Sequence, residues 1–253
     1  MSKVIIEQSG PIKTIWMNRP EKRNALDRDM RAELTDALRA PVAPHDRVVV
    51  IRGKGDVFCA GLDMAERRAT AETGEASGIE DMLRAIELCP LPVVAVVQGD
   101  AIAGGNELAL HCDLVVVSEK ARFGMSLAQV GLAPNWFLAK KLMEVLGPVT
   151  TREMLLLGDP LPATRLHALG LIARCVPADQ LATEAARVIN RLAANAPLSL
   201  KAMKALTVRQ LEFRDAIPHD DIDALVRAAL SSEDAREGML ARLEKRTARF
   251  QGR

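Results

Sequence analysis

Three continuous apolar runs constrain the fold of this chain more than any other feature of its sequence. They lie at residues 48–51, 93–97 and 114–117 and contain only Val, Ala, Leu and Ile. Continuous rather than alternating runs are typical of strands that are buried on both faces of a sheet, with helices on either side. Helical segments separate the runs, and this alternation of strands and helices along the chain predicts an α/β fold.

Shorter patterns complete the first half of the chain. Residues 4–7 and 12–17 flank a Ser-Gly-Pro turn and predict an N-terminal hairpin. Asp27 is the expected N-cap of a helix that runs to about residue 39. Further helices are predicted at residues 81–88 and 106–112.

The composition changes from about Pro134. Residues 135–175 are predicted to be mostly helical, and residues 179–253 read as amphipathic helices without a strand candidate. We therefore divide the chain into a core, residues 1–195, and a C-terminal helical region, residues 196–253, which either packs on the core or builds an oligomer interface. The polar, glycine-containing residues 65–79 are predicted to form a mobile loop near a site.

Charge and motif content exclude several classes of partner and chemistry. The 34 Lys and Arg against 33 Asp and Glu give a net charge of +1, too small a positive field for a nucleic acid or a membrane surface. The sequence has no GxGxxG after a strand, no P-loop and no HExxH, so neither a metal nor a redox cofactor is expected. With no signal-peptide pattern, no transmembrane run and widely spaced cysteines, the expected location is the cytoplasm.

Two glycine-containing turns follow two of the buried strands. One spans residues 58–63 (FCAGLD), and the other spans residues 99–107 (GDAIAGGNE). If the turns are adjacent, their N–H groups converge on one carbonyl oxygen, and the helix that begins near Gly105 adds its positive end. That arrangement is an oxyanion hole, in which each donor is worth about 3 kcal/mol. The alternative is that these glycines only permit tight helix–strand packing.

Glu107 is the candidate acid/base group. It lies one turn into the helix after the second turn, among small and apolar residues, with His111 four residues later on the same face. Burial would raise the pKa of this carboxyl and allow it to act as a base near neutral pH. The alternative is a solvated glutamate that pairs with His111 or Arg122.

Taken together, these motifs resemble the enoyl-CoA hydratase/isomerase family, also called the crotonase superfamily, over nearly the whole chain. The matching segments are residues 18–26 (NRPEKRNAL), 58–63, 92–110 (PVVAVVQGDAIAGGNELAL), 112–114 (CDL), 237–239, 244–246 and 250–253. Each motif is weak alone, but their occurrence in this order is specific.

The resemblance implies a crotonase-like spiral of ββα units with a C-terminal helical trimerisation region, assembled as a homotrimer or a dimer of trimers. It implies an acyl-CoA or enoyl-CoA ligand and no cofactor beyond the coenzyme A of the substrate. By position, the backbone N–H groups of Leu62 and Gly104 are the oxyanion-hole donors. The residues that would contact coenzyme A are Lys22, Arg23, Ala25, Ala60 and Asp63, with Lys22 or Arg23 near its phosphates.

One position departs from the family's hydratases, in which two glutamates move the protons. The first matches Glu107. The second should lie four residues after Phe123, where this chain has Leu127, and an aliphatic side chain carries no proton. Downstream, Asn135 and Trp136 replace part of a glycine-rich stretch, and with Leu127 they are the candidates for shaping the acyl pocket. The alternative is that they pack within the helical region.

Four functions therefore remain open. The chain is a hydratase in which Glu107 works alone, a double-bond isomerase, a non-catalytic acyl-CoA carrier, or an enzyme with another auxiliary group. Candidates for that group are Asp63, Asp100, His111 and Ser126. Hydratase or isomerase chemistry ranks first, because a pure binder has no need of a carboxylate buried beside the acyl chain.

Overall fold

The computed structural model describes residues 2–73 and 78–253, and the side chains of all of these except residues 70–73. The strands are Val4–Ser9 (β1), Ile12–Met17 (β2), Val48–Gly53 (β3), Val93–Val97 (β4), Ala101–Ile102 (β5), Leu114–Ser118 (β6), Arg122–Gly124 (β7), Leu161–Pro162 (β8) and Arg174–Val176 (β9). The helices are Arg28–Arg39 (α1), Met64–Thr73 (α2), Ile79–Leu88 (α3), Gly104–His111 (α4), Trp136–Leu156 (α5), Ala163–Ala168 (α6), Leu181–Ala193 (α7), Pro197–Leu211 (α8), Asp220–Ser231 (α9) and Glu233–Leu243 (α10). The predicted α/β class is confirmed.

The larger sheet has the strand order β1-β2-β3-β4-β6-β9. The predicted hairpin is present, with β1 and β2 antiparallel and Val4 opposite Met17. From β2 to β9 every neighbouring pair is parallel. Parallel pairing brings the carboxyl ends of β3 and β4 to the same edge, where the two glycine-containing turns begin.

Helices cover both faces of this sheet, which is why its central strands are apolar without alternation. On one face Val49 and Ile51 join the main core together with side chains of α1, α3, α4 and α5. On the other face Val48 and Val50 pack against α7. The predicted cap of α1 is also present, since the Asp27 carboxylate accepts a hydrogen bond from the Met30 N–H at 3.0 Å.

Residues 135–175 are mostly helical, as predicted, but they also contain two short strands that were not predicted: β8 joins β5 and β7 in a second, three-stranded sheet, and β9 joins the edge of the first. These strands have two or three residues each, too few to show a periodicity. Residues 64–73 form α2 rather than a loop, and the part of the predicted loop at residues 74–77 lies outside the described residues.

The C-terminal helices contact the core at specific points. Lys204 is the one buried residue of α8, and its ammonium donates to the carbonyl oxygens of Ile86 and Leu91 and to the Asp113 carboxylate. Ala235 of α10 packs against Val130. The division into residues 1–195 and 196–253 remains a prediction.

Candidate active site

The two glycine-containing turns lie side by side. Cys59 and Ala101 form an isolated parallel bridge, in which the Cys59 N–H donates to Asp100 and the Ile102 N–H donates to Cys59. The backbones of the two turns also come close at Gly61 and Gly104. A Cβ atom built on Gly61 would lie 3.1 Å from the nitrogen of Gly104. Gly61 has a φ of +91°, which a residue with a side chain rarely adopts.

The N–H groups of Leu62 and Gly104 are free to bind a ligand at this contact. Within the described chain neither donates to an acceptor, and Gly104 is the first residue of α4, where helix N–H groups lack partners. Ala103, directly before the helix, has φ 49° and ψ −115°, a strained conformation for a residue with a Cβ. Its N–H is anchored to the Gly124 carbonyl at 2.7 Å. Two unpaired donors and a helix N-terminus thus lie on adjacent turns, which suits a developing negative oxygen.

Glu107 lies in the first turn of α4, and its side chain is fully buried. Among the residues that the structure describes, none donates a hydrogen bond to either carboxylate oxygen. Burial raises the pKa of this carboxyl well above its ordinary value, opposed by the Lys141 ammonium and reinforced by the Glu87 carboxylate. The alternative of a solvated glutamate is therefore wrong. Arg122 pairs with Asp100 instead, at 2.8 Å.

His111 lies next to Glu107, one helical turn further along α4. Its Nδ1 is 2.7 Å from the Glu107 carbonyl oxygen and 3.6 Å from the carboxylate oxygen Oε2. Burial, with the Lys141 ammonium, lowers the pKa of His111 well below its ordinary value, so the ring is neutral.

Leu127 begins the short helical turn after β7 and carries two backbone hydrogen bonds, from Val130 and Leu132. Its side chain is half-buried between the main core and the small cluster around Ala235. Ser126 beside it is buried. No proton-carrying side chain therefore occupies position 127.

Asn135 and Trp136 face other parts of the molecule. Asn135 caps α5 by accepting from the Leu138 N–H and donates to the Glu80 carboxylate of α3. The Trp136 indole donates to the Arg214 carbonyl and stacks on the His219 ring at 4.6 Å, so it contacts the segments around α8 and α9. This placement matches the packing alternative for Trp136.

The residues predicted to contact coenzyme A lie next to the first turn. The Ala60 N–H donates to the Arg23 carbonyl at 3.0 Å, and Leu26 pairs with Leu62 in a parallel bridge. Lys22 and Arg23 are exposed. Ala25 and Asp63, two further residues predicted to contact coenzyme A, are linked through Arg19. Its guanidinium donates to the Ala25 carbonyl and pairs with the Asp63 carboxylate at 3.2 Å.

Sequence reasoning missed the charged residues around Glu107, namely Glu87 of α3 and Lys141 and Glu144 of α5. The signal in the sequence was the presence of Lys140, Lys141 and Glu144 in the largely apolar first half of α5. Ile79 was missed as well, and its Cδ1 atom would lie 2.9 Å from a Cβ on Gly104. In the described residues no group of three or more His, Cys, Asp or Glu side chains is arranged to hold a metal ion. None of the described helices is long and apolar enough to cross a membrane.

Comparison with known proteins finds a matching family model, similar sequences and similar solved structures. The family model described as enoyl-CoA hydratase/isomerase matches residues 7–253. The crotonyl-CoA hydratase of Syntrophomonas wolfei is 30% identical, over 98% of this chain and 97% of that protein. The crystal structure of an enoyl-CoA hydratase from Mycobacterium avium subsp. paratuberculosis has a TM-score of 0.85 and 30% identity over 98% of both chains. A methylmalonyl-CoA decarboxylase in complex with 2-nitronate-propionyl-CoA has a TM-score of 0.87 and 25% identity over 99% of both chains.

Proposed function

Because the chain belongs to the enoyl-CoA hydratase/isomerase family, we propose that it forms and stabilises the enolate of an acyl-CoA thioester, with Glu107 as its acid and base. The observation that carries this proposal is that two adjacent turns hold the unpaired N–H groups of Leu62 and Gly104, while Glu107, in the first turn of the helix that Gly104 begins, is fully buried. Each donor, aimed at the thioester oxygen, contributes about 3 kcal/mol as that oxygen becomes negative.

Two reactions need only one carboxylate. In hydration, water adds to Cβ, the double-bond electrons move to the thioester oxygen, and Glu107 takes the water proton and returns it to Cα. In isomerisation, ionised Glu107 removes a proton from one carbon and returns it at another through a dienolate. With Leu127 in place of the second glutamate, Glu107 must carry out both proton transfers of hydration, which two glutamates share in the family's hydratases, so hydration is expected to be slow; isomerisation loses no proton carrier.

A non-catalytic acyl-CoA carrier is the competing function, and the observation that favours it is Leu127. Such a protein would use the N–H groups of Leu62 and Gly104 only to bind the thioester oxygen of the ligand. Against it stands the cost of burying Glu107 without a hydrogen-bond partner in the described chain, a cost that binding alone does not require.

Binding and assembly follow from the same proposal. Lys22 and Arg23, exposed beside the first turn, would contact the phosphates of coenzyme A, and Ala25, Ala60 and Asp63 would contact the rest of it. No additional cofactor is needed for these reactions. Large apolar side chains exposed in the C-terminal region support self-association as a trimer or a dimer of trimers: Leu198, Met203, Leu206, Phe213 and Leu225. The free thiols of the four cysteines, all in the described part of the chain, suit the cytoplasm.

The test is a turnover assay with 2-enoyl-CoA and 3-enoyl-CoA series, followed at the absorbance band of the conjugated enoyl thioester. The expected result is turnover by the wild type, with a loss on the order of a hundredfold or more in Glu107→Gln. Acyl-CoA binding is measured in parallel by calorimetry and should persist in the variant. Tight binding without turnover of any substrate by the wild type would favour the carrier instead.

A further inference from the structure

A buried arginine of α1 holds the backbone next to the first turn, and the proposed function does not yet use it. Arg31 is 8% exposed. Its guanidinium donates to the Leu26 carbonyl at 2.7 Å and pairs with the Glu66 carboxylate of α2, also at 2.7 Å. Burying a guanidinium is costly unless its donors are paired, so the folded chain requires both contacts. Arg31 therefore fixes one backbone carbonyl, and that carbonyl belongs to the residue that pairs with the first turn.

Leu26 forms hydrogen bonds on both sides of Leu62. Its N–H donates to the Gly61 carbonyl at 2.7 Å, and its carbonyl accepts from the Asp63 N–H at 3.2 Å. These two bonds make the parallel bridge between Leu26 and Leu62. The Leu26 carbonyl oxygen thus accepts from the Asp63 N–H and from Arg31, which uses both of its lone pairs. The first turn and α1 are joined at a residue whose N–H and carbonyl are both fixed.

The bond to Gly61 also sets the direction of the Leu62 N–H. The Gly61 carbonyl and the Leu62 N–H belong to the same peptide unit, which is trans. In a planar trans peptide the C=O and the N–H point in opposite directions. Because the Gly61 carbonyl is held toward Leu26, the Leu62 N–H is turned away from Leu26, and no residue of the described chain accepts from it. A shift of Leu26 would rotate this peptide and change the direction of the N–H.

Leu26 contacts the second turn as well. Its side chain is fully buried, and a Cβ built on Gly104 would lie 3.4 Å from the Leu26 Cδ1 atom. The same residue thus fixes the peptide of one proposed oxyanion donor and packs against the other. Glu66 holds Arg31 in place for this, because its second carboxylate oxygen accepts from the Arg28 N–H at the start of α1, at 2.7 Å.

We propose that Arg31 is a positioning residue of the oxyanion hole: through the Leu26 carbonyl it fixes the Gly61–Leu62 peptide and so directs the Leu62 N–H at the thioester oxygen of the bound acyl-CoA. The inference rests on the proposed function, in which the N–H groups of Leu62 and Gly104 bind that oxygen. Arg31 acts through Leu26 and is not itself a catalytic residue. The alternative is a purely structural ion pair between α1 and α2, which would stabilise the fold without affecting the ligand.

The experiment measures the infrared band of the thioester carbonyl in bound butyryl-CoA and dodecanoyl-CoA, both isotope-labelled at that carbonyl, and it needs no turnover. Hydrogen bonds from the two N–H groups polarise the C=O bond, so binding to the wild type should move the band to lower frequency. In Arg31→Met, whose side chain has no donor, the band should return toward its position in free acyl-CoA.

Turnover supplies a second readout. Removing one oxyanion donor outright costs on the order of a hundredfold in kcat, so a misdirected donor in Arg31→Met should lower kcat about tenfold or more. The change in KM should be smaller, because the loss falls mainly on the charged transition state.

Lys13→Met is the matched control, because the Lys13 ammonium also donates to a backbone carbonyl of α1, that of Ala37 at 2.6 Å, near the opposite end of the helix. It should lower the urea midpoint without moving the band. Arg31→Lys keeps the charge but lacks the planar fork that serves Leu26 and Glu66 together. Its band should lie between those of the wild type and Arg31→Met, and it decides the question if Arg31→Met does not fold.

The two ways of failing are distinguishable. A thioester band that shifts on binding to the wild type and stays at the wild-type frequency in the folded Arg31 variants would overturn the proposal and leave Arg31 as a structural ion pair. A band that does not move on binding to the wild type would refute the oxyanion hole itself, and this inference with it.

Discussion

Replacing Glu107 by Met should make the protein more stable while abolishing its activity. The carboxyl is fully buried and accepts no hydrogen bond from any described residue. A buried polar group without a partner costs about 1–3 kcal/mol, and Met fills a similar volume without that cost. For a chain of this length each kcal/mol corresponds to about 2–4 °C in Tm.

The gain should grow with pH, and its sign follows from proton linkage. Burial raises the pKa of Glu107 in the folded state above the ordinary value of 4.5, so the folded protein binds this proton more tightly than the unfolded chain. The stability contributed by that proton is complete below the ordinary value and is lost as the pH rises through the raised value. Glu107→Met lacks the titrating group and therefore escapes this loss.

The assay is urea unfolding at about pH 6 and about pH 8, where the difference between variant and wild type should be larger at the higher pH. Glu153→Met serves as the control, because Glu153 is a paired surface carboxylate, 2.6 Å from Arg165. It should bring no gain. A Glu107→Met protein that is less stable than the wild type, or one whose stability falls with pH in parallel, would refute the assignment of Glu107 as a buried, unpaired acid.

Three further substitutions probe the turns and the missing carboxylate. Ala103→Gly should raise the free energy of unfolding by about 1 kcal/mol, because relief of the strained backbone outweighs the added chain entropy, and thermal unfolding would check this. Gly105→Ala should lower it by about 3 kcal/mol or more, because the new Cβ would lie 2.2 Å from the Cys59 carbonyl oxygen; an unchanged unfolding midpoint would contradict that contact. Leu127→Glu should raise crotonyl-CoA hydration about tenfold or more by restoring a second proton carrier, and an unaltered rate would mean that the pocket no longer places water between the two positions.

The large elements of the fold could be predicted from the sequence because their patterns are long. The apolar strands β3, β4 and β6 and the hairpin β1–β2 follow from continuous or turn-bounded runs. The second sheet could not be predicted, because β5 and β8 have two residues each and exist only through their pairing with β7. Helix α2 has too little apolar periodicity to be distinguished from a polar loop.

The same limit applies to the site. Each of the two turns lies in a local motif directly after a buried strand, and Glu107 belongs to the second of these motifs, so the sequence was sufficient to single them out. The cluster behind Glu107 joins α3 and α5 to α4, and only the packing of these helices brings Glu87 and Lys141 together. The contact of Trp136 with His219 likewise depends on how the C-terminal helices return to the core.

The buried ammonium of Lys204 has a consequence for the order in which the chain is completed during synthesis. Its acceptors are the carbonyls of Ile86 and Leu91 and the carboxylate of Asp113, which also accepts from the Val93 N–H. All of them leave the ribosome before Lys204 does, and they converge only once β4 and α3 are in place. An ammonium has no favourable place in an apolar core without such acceptors, so α8 can dock only on a core that is already formed. Docking of α8 therefore depends on correct folding of the part of the protein that was synthesised before it.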